Sequence, residues 1–316
     1  MRVLLLDGMR HQKLDSGYGQ LAAGIKQELE RRGSEIIHDA NRSADVALYV
    51  CPPYGVLDRD FDFPVAIFTM HELEQLPASK QDWPTKLNRT NLVLTPTSWN
   101  RAVWKSLGVT ARIEVVPLGV DHHQFYPGAG TTCRVLTVHS GLGSASSREN
   151  WRDTLAAFHQ AFTSRDPVEL VIKTWSWNEA GFQAALGDVR SERGIDNGEA
   201  PAVTVLSEQL EGPAMRDLYL SARIFLKNAN REGWGLPATE AVACGVRVAA
   251  SEIQLLKSHL PPGTRWFTLG DVAELAYLLK DEFRSHQADL ALAHRHTWQN
   301  TGAWVYRHLS LLLEAA

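Results

Sequence analysis

The sequence predicts an α/β protein of two doubly wound, Rossmann-like units, each a parallel sheet with helices on both faces. Three observations carry that prediction. Short Val-, Ile- and Leu-rich runs recur between Gly, Pro or polar residues, amphipathic stretches separate them, and the texture breaks near the middle of the chain. A length of 316 residues accommodates two units of ordinary size.

A parallel strand covered on both faces reads as an unbroken apolar run, because neither face meets water. Runs at 3–6, 46–50, 65–68, 92–95 and 113–116 have that form. Over 20–32, Leu21, Ile25 and Leu29 recur every four positions and make one helical face, and Gly33 follows as the stop. Two prolines and three glycines fall within 117–130, which marks a hinge. Strands are then expected at 135–138, 170–173, 203–206, 224–226 and 246–250, and helices at 152–162, 215–221, 237–244 and 272–283. A last helix at 303–313 presents Val305, Leu309, Leu312 and Leu313 on one side. The expected organisation is an N-terminal unit at 1–118, a C-terminal unit at 119–296, and a helix at 297–316 that crosses back to the first unit. Two such units joined by a hinge leave a cleft, and ligands of open parallel sheets sit outside the carboxyl ends of the strands.

Composition narrows the function. With 44% hydrophobic and 22% charged residues, the chain can bury a large core, which excludes a disordered or collagen-like protein. A net charge of −4 argues against a bulk electrostatic grip on nucleic acid. Cys51, Cys133 and Cys244 are far apart, with no C-x-x-C pair, so neither a disulfide framework nor a zinc site is expected and the reducing cytoplasm is the expected location. The opening Met1–Arg10 stretch reads as a buried strand, not a signal peptide, and no run of 18 apolar residues is present to span a membrane.

The run with the most chemistry lies at 231–245. Glu232 and Glu240 stand eight positions apart, with Gly233 and Gly235 between them to let the backbone approach a ligand. Pro237 suits the first turn of a helix, which sets the amides of Trp234, Gly235 and Leu236 near a helix N-terminus, a natural phosphate site. Glu240 is expected on that first turn, in reach of hydroxyls beside a phosphate, and Glu232 faces whatever the phosphate carries. A sugar nucleotide needs this combination. A plain strand–loop–helix connection with solvated glutamates has the same pattern, so the residues alone leave both readings open.

The spacing Glu-x7-Glu within E-G-W-G-L-P-x-x-E-A-x-A-C-G resembles the signature of the retaining GT-B glycosyltransferases of family 4, the "group 1" glycosyltransferases. Ser16-Gly17-Tyr18-Gly19, Cys51-Pro52-Pro53, Pro96-Thr97-Ser98 and Val115–Asp121 with Phe125 and Pro127 match further landmarks of that family in order. The resemblance implies a GT-B fold, two Rossmann-like domains facing across a cleft. It also implies transfer of a hexose from a nucleotide diphosphate sugar to an acceptor hydroxyl, with retention and no metal or other cofactor. Glu240 would then bind ribose, Glu232 the sugar hydroxyls, and the turn Gly233, Trp234, Gly235 and Leu236 the sugar and diphosphate, with Gly17 and Gly19 on the donor side. Arg148 and Lys173 would neutralise the leaving diphosphate. His71 would meet the donor sugar, and Glu72 and Tyr18 the acceptor, a carbohydrate, glycolipid or other hydroxyl compound. Each has a plain reading beside it: a structurally bonded histidine, a solvated Arg148, a Lys173 that only ends a strand.

The chain departs from the family in one place. Many members carry G-R-x4-K, whereas here His139-Ser140-Gly141 opens a serine-rich loop and Glu149 stands where a lysine often does. That departure keeps a non-catalytic sugar-nucleotide binder open as an alternative, beside another GT-B enzyme such as a phosphorylase or epimerase. Asp60-Phe61-Asp62 matches D-x-D but sits among alternating charges and reads as a solvated loop, and His122-His123 lacks partners at metal-ligand spacing. No G-x-S-x-G or G-x-G-x-x-G supports a hydrolase or a dinucleotide enzyme. Between residues 80 and 112, six basic residues (Lys80, Lys86, Arg89, Arg101, Lys105, Arg112) face one acid, Asp82. Peripheral contact with anionic lipid at the inner membrane face is one expectation for that stretch, and an ordinary solvated face is the other.

Overall fold

The computed structural model describes residues 1–6, 17–53, 60–130, 133–139, 148–284 and 296–315. The chain divides into two compact units, Met1–Asp121 with Arg295–Ala316, and His122–His294.

The first unit holds strands β1 (Arg2–Leu6), β2 (Glu35–Ile37), β3 (Val46–Val50), β4 (Val65–Phe68), β5 (Leu92–Thr95) and β6 (Ile113–Val115), with helices α1 (Gly17–Arg31), α2 (Trp83–Leu87) and α3 (Ser98–Ser106). All described pairs are parallel, in the order β2-β1-β3-β4-β5-β6. Val46–Val50, Val65–Phe68 and Leu92–Thr95 are buried along their whole length, which is why they were legible as apolar runs. The core gathers Leu4, Ala47, Ile67 and Val93 with Trp83 and Trp104. Gly33 takes φ of +78° after α1, the left-handed stop that its position predicted. Thr97 caps α3 by accepting from the Asn100 amide at 3.0 Å, so the Pro96-Thr97-Ser98 landmark is a helix start.

The second unit holds β7 (Arg134–Val138), α4 (Trp151–Ala161), β8 (Glu169–Lys173), α5 (Glu179–Glu192), β9 (Ala202–Leu206), α6 (Gly212–Leu220), β10 (Ile224–Lys227), α7 (Leu236–Ala243), β11 (Arg247–Ser251), α8 (Gln254–Lys257), β12 (Arg265–Phe267) and α9 (Val272–Arg284). Its sheet is parallel in the order β12-β11-β10-β7-β8-β9, the doubly wound arrangement whose strand order reverses between β7 and β10. Val135, Phe158, Ile172, Leu226 and Leu279 belong to one core. At the amino ends of β10, β11 and β12, the fully buried Glu282 of α9 ties the sheet together. Its carboxylate meets Arg247 at 2.8 Å and Arg265 at 3.1 Å, and its carbonyl accepts from Arg223 at 2.7 Å.

Helix α10 (Trp298–Glu314) belongs to the first unit and packs on α1. It begins five residues before the expected 303 because Thr297 caps it, accepting from the Asn300 amide at 3.0 Å. The approach is close. A Cβ on Gly24 would come within 2.8 Å of the Trp298 ring, and one on Gly302 would overlap the Cβ of Glu28. Glu28 is itself held by Arg31 and Arg32, both at 2.7 Å. Residues 117–120 meet the same helix start: Val120 donates to the His296 carbonyl at 3.1 Å, and the Thr301 hydroxyl donates to the Pro117 carbonyl at 2.7 Å. The short edge strands β2 and β12 were not expected, since each offers only two consecutive apolar residues, whereas β6, equally short, continues into the apolar Val116.

Gly302→Ala should lower unfolding stability by about 1–3 kcal/mol, because the added methyl has nowhere to go. Gly187→Ala, in α5 with open space around it, should be neutral or stabilise by up to about 1 kcal/mol. Urea unfolding of the two variants side by side checks the contrast.

Candidate functional site

At the carboxyl ends of β7 and β10 the chain turns away in opposite directions, and such a reversal leaves the crevice where open α/β sheets bind ligands. Two segments there are laced together through the backbone. The Asn150 amide donates to the Asn228 carbonyl and the Asn230 amide to the Arg148 carbonyl, both at 2.9 Å, with Glu149 and Ala229 paired antiparallel between them. Ser251, ending β11, anchors the second segment by accepting from the Ala229 amide at 3.0 Å and donating to its carbonyl at 2.5 Å.

This lacing assembles a buried charge cluster. The Lys227 ammonium, only 3% exposed at the end of β10, lies 2.5 Å from Glu232 and 3.5 Å from Glu149. Arg148 approaches the other oxygen of Glu232 at 3.7 Å, and the Gly233 amide donates to that oxygen at 3.0 Å. Burial opposes ionisation of Glu232, but Lys227 and Arg148 outweigh it and bring its pKa down to about 2. Burial likewise works against the charge on Lys227, and the two carboxylates reverse the effect, so its pKa is raised. Glu149 and Lys227 were not among the expected site residues. A signal for Lys227 existed, since β8 (ELVIK) and β10 (IFLK) both end an apolar run with lysine.

The turn that follows differs from expectation in one respect. Gly235 takes φ of +89° at the N-cap of α7, a conformation that favours glycine, and Pro237 lies in the first turn. Glu240 was expected on the first turn; the helix starts at Leu236, so Glu240 is its fifth residue and falls just beyond that turn. There it is buried, and the Tyr219 hydroxyl of α6 donates to it at 2.6 Å. Burial raises the Glu240 pKa to about 7, against the smaller opposite effect of that hydrogen bond. Tyr219, 21 positions earlier, carried no sequence signal for this role. Trp234 is buried and stacks on His259 with ring centroids 4.0 Å apart, so its side chain packs the turn.

Lys173 ends β8, buried, and donates to the Thr174 carbonyl at 2.8 Å. Beside it Trp175 and Trp177 stack nearly parallel at 5.1 Å, and Trp177 is 72% exposed. His139, directly after β7, is buried with its Nε2 at 3.1 Å from the Thr137 hydroxyl, and burial lowers its pKa to about 4. The serine-rich stretch at 140–147 lies outside the described residues, as does Ser16.

In the first unit, Gly17, Tyr18 and Gly19 form the opening of α1. The Tyr18 hydroxyl accepts from the Met70 amide at 3.0 Å, which joins the helix to the carboxyl end of β4. Burial raises the Tyr18 pKa. His71 is buried, stacks on Trp104 at 5.2 Å and meets Trp83 edge-on at 5.8 Å. Its Nε2 lies 3.2 Å from the Gln75 carbonyl, and burial lowers its pKa. Glu72 next to it is half-buried. Most of the basic stretch is paired: Lys86 with Asp82 at 2.7 Å, Arg89 with Asp60 at 2.9 Å, Arg112 with Glu114 at 3.0 Å, and Lys80 over the Trp83 ring at 4.6 Å. Among the described residues there is no metal-holding group of three His, Cys, Asp or Glu, and no helix long and apolar enough to cross a membrane.

No family model matches the chain, and no curated protein matches it in sequence. Solved structures match over nearly its whole length. Anabaena HepE in complex with UDP and glucose superimposes with a TM-score of 0.75 at 14% identity, covering 98% of this chain and 100% of HepE. Sucrose-phosphate synthase from Thermosynechococcus elongatus gives 0.76 at 14% identity, with 100% of both chains covered. The UDP-forming α,α-trehalose-phosphate synthase from Burkholderia vietnamiensis gives 0.64 at 14% identity, covering 94% of this chain and 77% of that one. At such identities the likeness establishes the fold, and that fold is GT-B.

Glu240 makes stability depend on pH. The folded chain keeps its proton up to about 7, while the unfolded chain releases it from about 4.5. The contribution is therefore full below 4.5 and is lost as pH rises to 7, about 3 kcal/mol in all. In Glu240→Gln that downward slope should vanish from urea-unfolding free energies measured across pH 4.5–7.

Proposed function

We propose that the chain is a retaining glycosyltransferase, moving a hexose from a nucleotide diphosphate sugar to an acceptor hydroxyl. The observation that carries this reading is the Glu232–Glu240 turn: two buried carboxylates bracket a glycine bend that opens a helix at the strand-order reversal of a GT-B sheet. The HepE complex with UDP and glucose supports a nucleotide diphosphate sugar as the donor class.

In this reading the second unit holds the donor. Glu240 receives the ribose hydroxyls, Glu232 accepts from hydroxyls of the sugar, and the amides of Gly235 and Leu236 at the start of α7 face the diphosphate. Arg148 and Lys173 neutralise the charge that grows on the leaving group as the C1–oxygen bond breaks, so protein cations do the work a metal does elsewhere. The acceptor oxygen bonds to C1 on the face the diphosphate leaves, and its proton passes to a leaving phosphate oxygen. Glu72 and Tyr18 of the first unit serve the acceptor, a carbohydrate, a glycolipid or another hydroxyl compound. Gly17 and Gly19 give α1 a close-approach N-terminus on the donor side.

Thermal unfolding with UDP-, GDP-, ADP-, CMP- and dTDP-sugars in the presence of EDTA tests the donor site. One nucleotide family should raise the midpoint, by about 2.7 kcal/mol of added stability at 100 times its Kd. Glu240→Ala should lose that shift. No shift with any of them at millimolar concentration refutes the reading, and a product of inverted anomeric configuration by NMR refutes retention.

A further inference from the structure

Lys227 has no part in the transfer scheme above, yet it is the most enclosed cation of the cluster. An ammonium offers three donors and no acceptor, and this one is bracketed by two carboxylates, Glu232 at 2.5 Å and Glu149 at 3.5 Å. Glu149 is anchored by its backbone, through the pairing of 148–150 with 228–230, so the residue stays beside the site whatever occupies position 227. With the ammonium removed, two buried carboxylates would face each other, and one of them would have to take a proton. Arg148 cannot substitute fully: it stands farther off, and its side chain is one-third exposed to screening solvent. His139 brings no charge near pH 7, since burial keeps it neutral.

Both oxygens of Glu232 are already held, one by Lys227 and the other by Gly233 and Arg148. An ionised carboxylate has about four acceptor sites, and with Lys227 and Gly233 donating to two of them about two remain for ligand hydroxyls. We infer that Lys227 and Glu149 form one compensated pair that keeps Glu232 ionised and aimed at the donor sugar, making Lys227 a positioning residue of that site. The inference rests on the donor reading given above for Glu232. The charges acting on Glu232 are Lys227 from β10 and Arg148 from the segment before α4, and Glu149 from that segment meets Lys227.

The test compares Lys227→Met, Glu149→Gln and the double variant with wild type. Glu232 is followed by side-chain carbon-13 NMR over pH, its signal assigned by loss in Glu232→Gln. Affinity is measured by calorimetry, with UDP-glucose and the other sugar nucleotides as probes. In wild type Glu232 should titrate near 2. Lys227→Met should raise that value by two units or more and weaken binding tenfold or more. The double variant should return both readouts most of the way, to within about threefold in affinity, while Glu149→Gln alone changes affinity less than threefold. A side chain that merely filled space would show no such rescue. The inference is overturned if Lys227→Met leaves the titration in place, or if the double variant is as impaired as the single. Should Lys227→Met fail to fold, the double variant is expected to fold, and its failure beside a folded Glu149→Gln overturns the inference equally. A wild-type chain that binds no sugar nucleotide sinks the transferase reading instead, and the titration still decides the pair.

Discussion

The antiparallel lacing of residues 148–150 to 228–230 is the constraint on which the site depends. It joins the segment before α4 to the segment after β10 at the one place where a doubly wound sheet leaves an opening. The backbone pairing is reinforced by side chains, with the Asn228 amide donating to the Asn150 carbonyl at 3.2 Å and Ser251 behind Ala229. The buried charge cluster hangs from it: Arg148 and Glu149 on one strand of the pair, Glu232 just beyond the other, and Lys227 at its root.

The two ends of the second sheet solve the same electrostatic problem with opposite signs. At the amino ends, one buried carboxylate, Glu282, sits among three arginines. At the carboxyl ends, one buried ammonium, Lys227, sits between two carboxylates. A buried ion is tolerable only with partners whose hydrogen bonds saturate it, and removing one partner typically costs about 3–5 kcal/mol. The arginine-lined end ties α9 to three strands. The lysine-centred end opens onto the bend at Gly233–Gly235, where Glu232 keeps an acceptor site in hand.

The strands were legible because parallel strands covered on both faces must be apolar throughout, as Val46–Val50 and Ile224–Leu226 are. The edges β2 and β12 were not, because each shows only two apolar residues in a row, while the equally short β6 is extended by Val116 into a readable run. The site divides the same way. Glu232 and Glu240 stood out by their spacing around two glycines, but the first turn of α7 depends on the backbone angle at Gly235, which spacing does not supply. Tyr219 and Glu149 reach the site through tertiary folding alone, and a lysine at the end of an apolar run reads as a strand terminus until its partners are known. The absence of a matching family model beside near-complete structural overlap has the same root. Many sequences satisfy the burial pattern of this fold, and few positions outside the turn are chemically dictated.

The placement of α10 bears on how the molecule is made. The first unit is discontinuous: its α1 face closes only when residues 298–314 arrive, after the whole of the second unit has been synthesised. The second unit is one uninterrupted stretch and can complete its core as it leaves the ribosome. The N-terminal unit must wait with the Gly24 and Glu28 side of α1, and Arg32 just after it, short of final cover, a long-range closure that is slow by its topology. The order of synthesis and the order of completion are therefore reversed in this chain, and the half made first is the half finished last.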